Sequence, residues 1–419
     1  MRQSELFSKT RREGPKDEVS KNAKLLIQGG FIHKEMAGVY SFLPLGLRVL
    51  NNIVRVIREE MNAIGGQELF LTALQSKEVW ESTGRWSDKA VTNWFKTALI
   101  AGGEVGLSFT HEEPITCLMR DHIRSFRDLP VFAYQFQTKF RNEERAKSGL
   151  MRTREFLMKD LYSFSRDTEE HQKFYDVVKE SYKKVFERLG LGPFTHLTYA
   201  SGGSFSRYSH EFQVVSEAGE DTIHLCKECS VAVNSEIIQE RSSCPSCGNT
   251  KLIETKAVEV GNIFSLGTRF SEAFGLSFVN ERNESMPVVM GSYGIGPARV
   301  LGALVELFSD GRSILWPSSV SPFSVHLLLL DADSHEVLTQ AEAVYNNLSA
   351  KGIDVLFDDR QSVRGGEKFA DADLLGIPLR VIVSSRSLTQ GSLEVLNRRS
   401  QATELISPSS LAAHLHGHI

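Results

Sequence analysis

Arg141 and Glu143 lie two residues apart at the end of a run from Val131 in which Phe132, Tyr134, Phe136, Thr138 and Phe140 alternate with Gln135, Gln137, Lys139, Arg141 and Glu143. Successive side chains of an extended chain point to opposite faces, so this guanidinium and carboxylate share one polar face. A guanidinium there can bridge a carboxylate and a phosphate as charge develops between them, and the acid can accept from an exocyclic amine. The plainer reading of Phe140-Arg141-Asn142-Glu143 alone is a cross-strand surface ion pair. Thr110-His111-Glu112-Glu113 likewise has two compatible readings, a hydroxyl-plus-carboxylate receptor for a cation or a helix start with acids in its first turn.

Four of the five cysteines form Cys226-x-x-Cys229 and Cys244-x-x-Cys247, and Cys117 stands alone. Two tight turns offering four thiolates suit a closed, structural tetrahedral zinc site; an iron centre, or disulfides in an oxidising compartment, are the other readings. His224 is the nearest spare ligand and reads as an ordinary strand residue. His414, His416 and His418 read as a weak metal site or as part of a flexible polar tail.

These groups need elements to hold them. Apolar residues spaced by three and four predict helices over 43–64 and 169–190, the first closed by Gly65-Gly66 and followed by a short strand at 68–71. The runs 131–143 and 154–164, joined by a polar loop, predict a long-looped antiparallel hairpin, which excludes the parallel repeat of a dinucleotide-binding fold. Gly291 to Arg299 reads as a Gly-rich turn into a helix, and 317–322, with two prolines and three serines, as a linker. Beyond it, strands at 325–330, 354–357 and 380–383 alternate with helices at 335–350 and 366–375, predicting a separate α/β domain with a mixed sheet.

The 419 residues suit two or three domains, and 41% hydrophobic content suits a chain able to bury a core. No run is long and apolar enough for a membrane helix, and the polar N-terminus carries acids where a leader would be basic and apolar, so a cytoplasmic protein without membrane partners is expected. A net charge of −4 means that any nucleic acid must be held by local patches. One candidate is the hairpin, where Lys139, Arg141, Arg145, Lys147, Arg152, Arg154 and Lys159 face only Glu143, Glu144 and Glu155.

Phe140 to Arg145, with Arg152-Thr153-Arg154-Glu155-Phe156-Leu157-Met158-Lys159-Asp160, resembles motif 2 of the class II aminoacyl-tRNA synthetases in their prolyl form; Gly294 to Arg299 resembles motif 3. Thr110 to Glu113 resembles the loop with which the prolyl enzymes hold the substrate amine, and Gly202-Gly203-Ser204 through Ser209-His210-Glu211-Phe212 resembles their pocket segment. The resemblance runs from about Arg2 to Ile406. It implies an α+β fold with an antiparallel sheet and flanking helices: a catalytic domain over 1–316 with a zinc-ribbon-like insertion at 221–253, the linker 317–322, and an anticodon-binding domain over 323–419.

The resemblance also implies a cytoplasmic homodimer that uses ATP and Mg²⁺ to join proline to tRNA(Pro), with Zn²⁺ in the ribbon. Arg141 would act on the α-phosphate and carboxylate, Glu143 and Phe156 on adenine, and Arg299 on the γ-phosphate, with Arg152, Glu259 and Thr268 completing the ATP site. Glu259 would bind magnesium or be a solvent-facing strand residue. Thr110, Glu112, Arg141, His210, Ser292 and Gly294 would hold proline. Arg145 would read the acceptor stem, and Arg360 and Lys368 anticodon bases, the alternatives being exposed, solvated charges. Departures include Thr72, near the usual motif 1 proline, and Phe109, where the prolyl enzymes carry proline. Residues 166–290 leave too little chain between hairpin and motif 3 for the large editing domain of many bacterial prolyl enzymes. The sequence is therefore expected to lack editing in cis. A threonyl or glycyl enzyme, or a non-catalytic RNA-binding regulator, is the rival reading.

Overall fold

The computed structural model describes residues 1–203 and 205–418; Ser204 of the pocket segment and Ile419 lie outside them. The chain forms two compact units, one of residues 36–39 and 54–303, the other of 1–35, 40–53 and 304–419.

The first unit is built on a nine-stranded sheet of β1 (Gln67–Glu68), β2 (Val131–Phe140), β3 (Glu155–Ser165), β4 (Thr195–Ser201), β5 (Tyr208–Val215), β6 (Asp221–Cys226), β7 (Ala232–Asn234), β8 (Leu252–Gly267) and β9 (Val289–Ile295). Their order is β5-β4-β7-β6-β8-β9-β3-β2-β1, and β5 also pairs with β8. β2 and β3 are antiparallel from Val131 opposite Phe164 to Phe140 opposite Glu155, the hairpin that the alternation predicts. The expected strand at 68–71 shortens to β1, parallel to β2.

The apolar face of β2 packs on the helix Thr168–Arg188, where Phe132 stacks on Phe174 at 3.5 Å. That helix starts at Asp167, whose side chain accepts from the Glu170 amide, and buries Phe174, Val178, Tyr182, Val185 and Phe186 along one stripe. The Gly-rich segment expected as a turn is the central strand β9 instead. A Cβ on Gly291 would meet Tyr293 Oη at 2.4 Å, and one on Gly294 would meet Asn262 Oδ1 at 2.8 Å, so these glycines serve close packing rather than a bend.

The second unit carries a five-stranded sheet of β10 (Val325–Leu329), β11 (Val355–Asp358), β12 (Leu379–Val383), β13 (Leu393–Asn397) and β14 (Ala402–Ile406), in the order β11-β10-β12-β13-β14. β11, β10 and β12 are parallel and the last two strands antiparallel, the mixed sheet that the sequence predicts. Its N-terminal residues pack here because Arg2 bridges to Phe357 and donates to Glu342 at 2.7 Å and Asp359 at 3.1 Å. The expected linker is packed as well: Trp316 and Val320 are buried, and Trp316 Nε1 donates to the Leu375 carbonyl at 3.0 Å. The expected polar tail is the helix Leu411–His416, held by buried Leu411 and Leu415.

Candidate active site

One face of the larger sheet carries the chemistry. Parity along β3 puts Phe156, Met158, Asp160 and Tyr162 on it, and antiparallel pairing adds Asn262 and Gly294, then Phe264 and Ser292. Two adjoining cavities result. The larger, about 270 Å³, is lined by Arg141, Glu143, Arg152, Phe156, Asp221, Glu259 and Arg299 among others. The smaller, about 120 Å³, is lined by Arg85, Thr110, Glu112, Asp160, Tyr162 and Ser292 among others, and Arg141, Met158, Asn262 and Gly294 border both.

Arg141 lies between Phe109 and Phe156, 5.1 and 5.3 Å from their ring centres. Its Nε is buried with no partner, and burial, reinforced by nearby Arg299, holds its guanidinium below the usual arginine range. Arg299 is fixed by bonds to the Met151 carbonyl at 3.0 Å and to the Glu259 carbonyl and carboxylate at 2.7 and 3.2 Å. Two guanidiniums at one cavity wall, one incompletely partnered, form a receptor for anions. Also lining this cavity, Arg152 donates to Glu143 at 2.7 and 2.9 Å, and Asn93 donates to the other Glu143 oxygen at 3.2 Å.

The smaller cavity is acidic at one end. The helix Glu112–Met119 puts Glu112 and Glu113 in its first turn. Glu112 accepts from Thr110 at 2.6 Å and from Ser292 at 3.2 Å. Fully buried Glu113, pushed up to about 7 by burial, accepts from Thr83 at 2.8 Å and from Arg85 at 2.9 and 3.0 Å. Arg85 also lies 3.6 Å from Glu112, and the cavity thus sets carboxylates at one end and the Arg141 guanidinium at its border, the complement of an amino-acid zwitterion.

Other expected residues fall elsewhere. His210 pairs across the strands with Ile263, which turns it away from the cavity; its Nδ1 meets Tyr175 Oη at 2.8 Å, and burial pushes it down to about 4. Neighbouring Glu211, opposite Asn262, takes the cavity-side face, and burial and the Glu259 charge push it up to about 8. Thr268 lines neither cavity; it opens the helix Arg269–Phe274 and donates to Glu272 at 2.7 Å. The basic hairpin is less basic at its surface than its sequence, because Lys139 and Lys159 are fully buried and Arg141 faces the cavity; Arg145 and Lys147 are exposed on the loop.

In the second unit Arg360 donates to Asp358 at 2.7 and 2.8 Å and to Asp371 at 2.8 Å, while Lys368, 1% exposed, donates to the Leu329 carbonyl at 2.6 Å. Both candidate anticodon contacts thus make internal ion pairs or hydrogen bonds. Asp221, Asn262, Asp160, Arg85 and Glu211 were missed by the sequence reading; for Asp160 the signal was its even spacing from Phe156 and Met158.

The four ribbon cysteines bring Sγ atoms together, Cys226 to Cys247 at 3.5 Å and Cys229 to Cys244 at 3.4 Å. A tetrahedron with Zn–S bonds of about 2.3 Å has sulfur atoms roughly 3.8 Å apart, so the set fits the ion. Its turns match: Ser230 and Gly248, each just after the second cysteine of its pair, have φ of 61° and 76°. His224 faces Ser235 at 3.2 Å instead. Glu404, His414 and His418 also bring possible ligand atoms within 4.8 Å of one another. Among the described residues no helix is long and apolar enough to cross a membrane.

Residues 95–308 match the family model of the tRNA synthetase class II core domain (G, H, P, S and T), and 320–417 that of an anticodon binding domain. The chain is 32% identical to proline–tRNA ligase 1 of Anaeromyxobacter dehalogenans over 559 positions, covering 97% of this chain and 96% of the relative. It is 30% identical to the proline–tRNA ligase of Bacillus cereus, covering 99% of each. Because 559 positions exceed this chain's 419 residues, the Anaeromyxobacter relative carries at least 140 without a counterpart here. The fold is like that of prolyl-tRNA synthetase from Cryptosporidium parvum complexed with L-proline and AMP (TM-score 0.76, 18% identity, 95% of this chain and 74% of that one). It is also like that of Giardia lamblia prolyl-tRNA synthetase in complex with prolyl-adenylate (TM-score 0.78, 19% identity, 94% and 75%).

Proposed function

This chain belongs to the class II aminoacyl-tRNA synthetases, among the proline–tRNA ligases, and on that premise we propose how its own residues divide the work of joining proline to tRNA with ATP. The observation that carries the proposal is the incompletely partnered guanidinium of Arg141 at the junction of the two cavities. In the larger cavity Phe156 and Glu143 receive adenine, with Arg152 holding the Glu143 carboxylate, and Arg299 receives the terminal phosphate. In the smaller one Glu112, held by the Thr110 hydroxyl, takes the imino nitrogen, and Ser292 and Gly294 bound the ring.

The proline carboxylate attacks the α-phosphorus, pyrophosphate leaves, and Arg141 stabilises the charge that builds on the oxygens between them. The terminal tRNA hydroxyl then displaces AMP from the prolyl carbonyl. Glu211 and Glu259 would hold Mg²⁺: burial and the neighbouring Glu259 charge push Glu211 up to about 8, a repulsion that a bound cation would relieve. When bound, that ion offsets polyphosphate charge.

Zn²⁺ in the four cysteines, a homodimer and a cytoplasmic setting belong to the same proposal. Phe70 and Leu74, 77% and 55% exposed beside the edge strand β1, support the dimer. The family-model limits support a catalytic domain ending near 308 and an anticodon-binding domain from about 320. Arg145 remains the acceptor-stem contact, whereas Arg360 and Lys368 hold the loop after β11 against the helix Gly365–Leu375 rather than touching bases. The positions missing relative to the Anaeromyxobacter enzyme support the absence of editing in cis and leave exclusion of alanine to the small cavity.

Incorporation of labelled proline into tRNA(Pro) transcript tests the reading. Charging that requires ATP, proline and the matching transcript is expected. Charging with threonine or glycine, or none with any amino acid, would overturn it.

A further inference from the structure

Asp160 projects from β3 into the smaller cavity and is 3% exposed. Its two oxygens are treated very differently. Oδ2 accepts from Gln135 Nε2, Lys139 Nζ and Tyr162 Oη, each at 2.9 Å. Lys139 is held in turn against His111 Nδ1 at 2.5 Å, and His111 Nε2 lies 3.0 Å from the Thr72 carbonyl. Oδ1 is buried and has no partner. A buried carboxylate oxygen left open costs free energy, and here every neighbouring donor is already directed at the other oxygen.

The same cavity wall holds Glu112, which accepts from Thr110 and Ser292, and Arg85, which is shared between buried Glu113 at 2.9 Å and Glu112 at 3.6 Å. The open acceptor, Asp160 Oδ1, therefore suits the N–H of a cation rather than another anion. An imino acid differs from every primary amino acid in carrying two N–H bonds on its cationic nitrogen instead of three.

We infer that Asp160 is a second receptor for the imino group: its Oδ1 accepts one N–H of the bound cation while Glu112 accepts the other. This rests on the assignment of proline to the smaller cavity. Two acceptors match a secondary ammonium, whereas a primary ammonium such as alanine's leaves its third N–H unpaired in a nearly dry site. Asp160 would therefore contribute to specificity as well as affinity, which suits a chain whose discrimination rests on its pocket. Gln135, Lys139 and Tyr162 act as positioning residues that fix the carboxylate with Oδ1 free.

The test is Asp160→Asn, assayed by proline-dependent ATP–pyrophosphate exchange, with tetrahydrofuran-2-carboxylate, which has a ring oxygen and no N–H, as competitor. The variant replaces an acceptor by an amide able to donate. The KM for proline is expected to rise by about tenfold or more while the KM for ATP stays unchanged. The preference for proline over the oxygen analogue is expected to narrow by about the same factor. Should Asp160→Asn fail to fold, Lys139→Gln/Asp160→Asn removes both charges together and is held to the same expectation. An unchanged KM for proline, or equal weakening of proline and the oxygen analogue, would overturn the inference. Wild-type protein that exchanges with another amino acid instead of proline would overturn the underlying assignment.

Discussion

The cleft of the larger unit and the basic cluster of the second unit treat cations in opposite ways. Around Arg141 the protein buries a guanidinium, sets Arg299 beside it and leaves its Nε without a partner. Around Arg360 and Lys368 each charge is matched: Asp358 and Asp371 take the guanidinium, and backbone carbonyls of Leu329 and Asp358 take the ammonium. Both sets are basic residues in segments that resemble functional motifs. A buried charge left without an ion-pair partner, as at Arg141, marks a place where something else can bind, whereas pairing alone does not decide between architecture and function: Arg299 is paired with Glu259 and still lines the cavity.

The most direct way to break this contrast is Arg141→Ala, expected to lower proline-dependent ATP–pyrophosphate exchange by about 10³-fold or more with little change in thermal stability. Comparable losses of stability and exchange would make Arg141 architectural. The cysteine cluster sharpens the contrast, since its thiolates are balanced only if a cation joins them. Purified protein is expected to hold one zinc per chain by elemental analysis, and Cys226→Ser/Cys229→Ser to lose both the metal and several kcal/mol (~5) of stability in denaturant unfolding. An unchanged unfolding curve would refute the zinc assignment. Lys368→Ala should do the reverse of Arg141→Ala, removing roughly 1–3 kcal/mol of stability through the Leu329 and Asp358 carbonyls it leaves without a donor, while proline activation by the folded fraction persists.

Most of the framework was legible in the sequence because period-two and period-3.6 patterns dominate it. Val131 to Phe140 declared both its faces, and the stripe Phe174, Val178, Tyr182, Val185 declared its helix. Three features were not legible. Gly291 and Gly294 look like turn residues, and only the crowding by Tyr293 and Asn262 explains their place in a buried strand. His210 and Glu211 are adjacent in the motif, and one residue of strand register decides which faces the cavity. Arg360 and Lys368 look like solvent-facing contacts until the fold brings Asp358 and Asp371 to them. Patterns thus gave the elements, whereas the assignment of individual polar side chains depended on partners far along the chain.

His171 is the case most able to blur the comparison, because it is buried, both ring nitrogens lack partners, and it lines neither cavity. Burial pushes it down to about 4, so below pH 6.5 the unfolded chain binds a proton that the native state refuses. Its contribution is retained above pH 6.5 and lost as pH falls toward 4. His171→Leu is expected to gain about 1 kcal/mol at pH 7 and to flatten the loss of melting temperature between pH 6.5 and 4. A variant that instead lost amino-acid activation at unchanged stability would mean that incomplete pairing marks function there too.

The central claim is that the junction of the two cavities activates proline, and amino-acid-dependent ATP–pyrophosphate exchange tests it most directly, with proline, alanine, threonine, glycine and histidine in parallel. Exchange driven by proline, with alanine well behind, is the predicted result. Exchange driven by another of the five, or silence with all of them in folded, zinc-loaded protein, would contradict it.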